Sequence, residues 1–66
     1  MVQEHAAAKM AYSAMRSGQS VRECWRGIEI VEVDIKHGDE GLGSYTRHRL
    51  PITEELLIAA EAVANG

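Results

Sequence analysis

Apolar positions follow a helical spacing at both ends of the chain and a strand-like one in the middle. From Gln3 to Ser17, Ala8, Ala11, Tyr12 and Met15 fall at i, i+3, i+4 and i+7, so they would share one apolar helix face. Alanine, the best helix former, fills much of this segment, and Gly18 follows as a residue able to end the helix in a left-handed conformation. Ser20 and Glu23 have the S-x-x-E spacing of a capping box, which predicts a second, short helix carrying Val21, Cys24 and Trp25 and closed by Gly27.

Ile28 to Lys36 is rich in β-branched residues and predicts a strand. Its alternation changes phase: Ile28 and Ile30 share one parity, and Val31, Val33 and Ile35 share the other. A one-residue slip sends side chains to the opposite face, so a β-bulge is expected near Ile30 and Val31. The glycine-rich segment His37–Gly43 reads as a turn, and Ser44–Leu50 as the returning strand. Placing Ile35 opposite Thr46 sets Asp34 against Arg47, Glu32 against Arg49 and Val31 against Leu50. Opposite charges then pair on one face and apolar groups on the other.

A last helix should begin after Pro51, with Thr53 as its N-cap and Ile52 and Leu57 as a hydrophobic staple. Glu54 and Glu55 suit the positive end of its dipole, and Leu56, Ala59, Ala60 and Val63 form the expected apolar stripe. The expected fold is therefore a single two-layer α+β domain over residues 1–66. Its order is α, short α, β, β, α, with an antiparallel hairpin packed against helices. Both strands of such a hairpin are edges, open to a homodimer or to a strand from a partner.

Sixty-six residues lie near the lower limit for independent folding, since a domain of this size buries only about 60% of its unfolded surface. The single cysteine, Cys24, excludes an internal disulfide and points to a reducing, cytoplasmic setting. No apolar run approaches the roughly 20 residues that span a bilayer, and the first residues do not read as a signal peptide.

The formal net charge of −3 is unevenly spread. Up to Arg26 the bases Lys9, Arg16, Arg22 and Arg26 outnumber Glu4 and Glu23. Beyond it, Lys36, Arg47 and Arg49 face Glu29, Glu32, Asp34, Asp39, Glu40, Glu54, Glu55 and Glu61. If the hairpin arginines neutralise Glu32 and Asp34, then Glu29, Asp39, Glu40, Glu54, Glu55 and Glu61 have no evident partners and make up the candidate partner-binding surface. Such a surface attracts basic proteins, including those that hold nucleic acid.

Other chemistries find little support. His5, Cys24, His37 and His48 lack the close spacing of structural metal sites, so no metal is expected. The glycine run at 38–43 leads into a strand and carries two carboxylates, which suits neither a phosphate loop nor an EF-hand. Cys24 with His48 is the one conceivable nucleophile pair and has no orienting third group, so neither catalysis nor a cofactor is expected.

The first two helices, joined through Ser17–Ser20, resemble a helix-turn-helix, with Arg22 and Arg26 on one face of the second. A small dimeric DNA-binding regulator is accordingly the alternative, although the acidic balance disfavours direct nucleic-acid binding. A subunit that completes a larger assembly through its strand edge is a third reading. In size and charge the chain is similar to phage-encoded accessory inhibitors, anti-CRISPR proteins among them, although the similarity covers no motif. It implies a non-enzymatic viral inhibitor or modulator docking on a basic, nucleic-acid-binding protein.

Overall fold

The computed structural model describes residues 2–38 and 43–66. Its elements follow the expected order: α1 (Val2–Ser17), α2 (Val21–Cys24), β1 (Ile30–His37), β2 (Ser44–Pro51) and α3 (Glu54–Asn65). The protein is a small α+β domain built on an antiparallel hairpin and helices that share one apolar core.

Helix α1 is the central element, packing against β1 as well as α3 and α2. It buries Ala6, Ala7, Met10, Ala11 and Ala14. Of the face expected from spacing, only Ala11 is buried; Ala8, Tyr12 and Met15 are exposed. Two apolar stripes with helical spacing coexist on α1, and the neighbouring elements cover the one displaced by a residue towards the N-terminus. The helix ends as a Schellman motif. Gly18 takes a φ of 74°, its N–H donates to the Met15 carbonyl at 3.3 Å, and that of Gln19 donates to the Ala14 carbonyl at 3.1 Å.

Helix α2 is a single turn held by its capping box. The Glu23 N–H donates to Ser20 Oγ at 3.1 Å, and the Ser20 N–H donates to Glu23 Oε1 at 3.4 Å. So short a helix depends on tertiary contacts. Val21 supplies one by burying its side chain, and Trp25 another by donating from Nε1 to the Met10 carbonyl at 3.2 Å.

The hairpin has the expected register, from Ile30 opposite Pro51 to His37 opposite Ser44, with Val31 opposite Leu50 and Ile35 opposite Thr46. The expected bulge is absent: pairing runs unbroken from Ile30 to His37. Ile28 lies before the strand, where its N–H donates to the Trp25 carbonyl at 3.1 Å, and Ile30 opens the strand facing outward. The phase change in the sequence therefore marks the start of the strand. Val31 and Val33 enter the core, and Lys9 of α1 donates from Nζ to the Glu32 carbonyl.

Thr53 caps α3, accepting from the Leu56 N–H at 3.2 Å, and Ile52 and Leu57 both pack on the core as a staple requires. Leu56 and Ala60 are buried as expected. Ala59 and Val63, expected beside them, stay exposed, and Leu57 and Ala64 are the partly buried residues instead. The reason is that α3 lies along α1 and α2 and not along the strands, which rotates its buried line towards Leu56, Ala60 and Ala64. Gln3, Glu4 and Ala7 adjoin Glu55, Leu56 and Ala59, while Ala14 and Met15 adjoin Ala64 and Asn65, so α1 and α3 run in the same direction. Among the described residues, no helix is long and apolar enough to cross a membrane.

Candidate functional site

The hairpin neutralises its own charges. On the face turned away from the core, Arg47 Nε contacts Asp34 Oδ1 at 3.0 Å and Arg49 Nε contacts Glu32 Oε2 at 3.3 Å. The hydrogen bond from Arg47 to Asp34, together with the charge of that carboxylate, strengthens the hold of the guanidinium on its proton. These are the two acids that the register had assigned to arginine partners.

Glu54 and Glu61 behave differently from the sequence-based expectation that they lack partners. Arg22 of α2 meets Glu54 through both Nη atoms and contacts Glu61 Oε1 from Nε at 3.2 Å. The hydrogen bond from Arg22, aided by its positive charge, holds the Glu54 carboxyl below the usual carboxylate range. These carboxylates lie on the flank of α3 that faces α2, and Arg22 ties the two helices together. No local sequence signal reveals this contact, because it joins residues 32 and 39 positions apart.

Glu29 is exposed immediately before β1, and its carbonyl accepts the Ile52 N–H at 2.9 Å. That bond places the backbone of Glu29 beside Ile52, just before the start of α3. Glu55 lies on the opposite flank of α3 from Glu61. It borders a groove of about 280 Å³ between α1 and α3, together with Gln3, Glu4, Ala7, Leu56, Ala59 and Val63. Because the helices run in the same direction, Glu4 joins the same end of the molecule, a member that charge counting along the sequence had left out. Asp39 and Glu40 lie outside the described residues. The four described acids of the expected surface are thus divided among the residue before β1 (Glu29), the Arg22 clasp (Glu54 and Glu61) and the α1–α3 groove (Glu55).

A second depression, of about 310 Å³, is lined by His5, Lys9, Glu32, Val33, Asp34 and Arg47 and mixes charges of both signs. Cys24 Sγ lies 3.8 Å from Ser17 Oγ, and the His48 ring stands 6.4 Å from that of His37. Among the described residues, no hydrogen bond joins the thiol to an imidazole, and no group of three or more His, Cys, Asp or Glu residues could hold a metal ion. The helix-turn-helix reading needs Arg22 turned towards DNA from a recognition helix, whereas α2 has only four residues and Arg22 is engaged by α3. In comparisons with known proteins, the chain matches no family model, no curated protein and no solved structure.

Proposed function

We propose that the protein is a non-catalytic protein-binding module whose acidic end docks on a basic surface of a partner. The observation that carries this reading is the hydrogen bond between the Ile52 N–H and the Glu29 carbonyl. It fixes the backbone of Glu29 beside Ile52, just before the helix that begins with Glu54 and Glu55, and among the described residues only Glu54 of these three acids is paired with an arginine. A basic patch that ordinarily holds nucleic acid is the kind of surface such an end complements, and occupying it would inhibit or modulate that partner. The half-buried free thiol of Cys24 suits a reducing compartment, so the proposed setting is the cytoplasm.

The test is affinity capture from host lysate, quantified by mass spectrometry, with three forms of the protein. The wild type should retain a basic partner and release it as salt rises, since exposed charges are screened within about 8–10 Å at physiological ionic strength. A Glu29→Lys/Glu55→Lys variant should fold normally and lose that partner, while Arg26→Glu should keep it. Equal retention by all three forms would refute the proposed surface.

A further inference from the structure

The two edges of the hairpin are not equivalent. The Ile52 N–H donates to the Glu29 carbonyl at 2.9 Å, and bonding in an antiparallel pair recurs at every second residue from there. Val31, Val33, Ile35 and His37 therefore bond to Leu50, His48, Thr46 and Ser44. Pro51, which has no N–H, falls opposite Ile30, where none is needed. The backbone groups of Glu32 and Asp34 then point away from β2, and those of Tyr45, Arg47 and Arg49 point away from β1. The edge of β1 is occupied: Lys9 of α1 donates from Nζ to the outward carbonyl of Glu32, and α1 packs against that strand. Along β2 no residue is buried, and among the described residues neither α2 nor α3 contacts it.

Sheet edges are commonly guarded by outward charge, by proline or by a bulge. Arg47 and Arg49 instead turn back across the sheet to Asp34 and Glu32, the pairing is unbroken, and Pro51 stands at the last position of the strand. Tyr45, 68% exposed, lies on the same outer face as these arginines. A second copy of β2 fits this edge in one register. With the strands antiparallel about a two-fold axis at Thr46, Tyr45 of each copy faces Arg47 of the other. Each such pair exchanges two backbone hydrogen bonds, and the guanidinium can stack on the ring. On the inner face Thr46 meets its own copy and Ser44 meets His48, a polar row in which threonine pairs are favourable. Moving the axis to Arg47 or His48 sets arginine against arginine, and moving it to Tyr45 leaves only Ser44 to Thr46 paired within the strands. The edge is thus complementary to itself, as a closed symmetric dimer requires. A two-stranded hairpin is marginal by itself, and the second copy supplies the further strands that it lacks.

We propose that the protein forms a two-fold symmetric dimer through the open edge of β2, joining two hairpins into one antiparallel four-stranded sheet with Thr46 at the axis. The contact uses Ser44 to His48 and involves neither Glu29 nor Glu55, so the dimer and the acidic end can be tested independently.

Sedimentation equilibrium from roughly 1 μM to 1 mM covers the affinities expected of such a pair. The wild type should pass from the 7.3 kDa monomer to a species of twice that mass. Arg47→Pro removes an N–H at the open edge and none that bonds to β1, a position where a strand tolerates proline. It should keep the wild-type circular dichroism spectrum and remain monomeric throughout. The register is read separately by oxidation in a Cys24→Ala background. Thr46→Cys should give a covalent dimer, because residues facing each other there have Cα atoms about 4.5 Å apart, within the span of a disulfide. Arg49→Cys should not, because its two copies lie about 20 Å apart at the usual rise per residue. A wild type that stays monomeric over the whole range would overturn the proposal. So would a dimer that persists in Arg47→Pro, or one that cross-links through Arg49→Cys and not through Thr46→Cys.

Discussion

Arg22 connects two elements, α2 and α3, through one side chain. It projects from the single turn of α2 and is shared by Glu54 and Glu61, at the start and in the second half of α3. The contact lies at the surface, with the side chain of Glu54 63% exposed, that of Arg22 45% and that of Glu61 34%, so it is sensitive to salt and contributes modestly. Its pH dependence follows from Glu54. A carboxyl held below its unfolded value adds stability that is present above the ordinary carboxylate range and is lost as pH falls through the lowered value. Arg22→Gln should therefore lower the melting temperature at neutral pH and low salt. The gap between variant and wild type should close in acid and in high salt. A gap that persists in acid would show that Arg22 acts through packing of its aliphatic stem instead. The arrangement was not legible in the sequence, since the first-turn position of Glu54 already accounts for its charge and Glu61 has no local partner.

The hairpin was more legible because two independent patterns agree on one register. Glu32 and Asp34 find Arg49 and Arg47 on one face, while Val31 finds Leu50 on the other, and a shift by one residue would break both sets. The helices were less legible on their sides than in their ends. Ser20, Thr53 and Gly18 mark boundaries by local chemistry, whereas choosing between the two stripes of α1 depends on which elements pack against it. One position on the inner side of the hairpin is poorly matched to its surroundings. His48, opposite Val33, is half-buried, and its Nε2 is shielded from solvent and has no hydrogen-bond partner among the described residues. Leaving a buried polar atom unpaired costs about 1–3 kcal/mol. His48→Leu should thus raise stability by about 1 kcal/mol in urea titration, with the hairpin register unchanged by NMR. A loss of stability would mean that Nε2 has a partner such as bound water.

The whole molecule measures 37 × 21 × 18 Å and rests on a small core in which the largest fully buried side chains are Met10, Val21 and Val31. A chain of this length has roughly 3–10 kcal/mol of stability to lose, at about 0.05–0.15 kcal/mol per residue. Removing a buried methionine side chain costs about 2–5 kcal/mol, so Met10→Ala should consume much of that margin. A drop in melting temperature of about 10 °C or more is expected, followed by Trp25 fluorescence because the indole hydrogen-bonds the Met10 carbonyl. A drop of a degree or two would indicate that the core closes around the vacancy. The pairing of α1 with α3 also governs how the chain must assemble. Ala7 and Leu56 line the same groove, yet about three-quarters of the sequence separates them. During synthesis at roughly 5–20 residues per second, the alanine and methionine face of α1 waits several seconds for the helix that covers it. Closing so long a loop before the main helix contact forms places folding among the slower routes for a protein of this size. While it waits, the nascent chain displays both apolar stripes of α1, a natural binding target for a ribosome-associated chaperone.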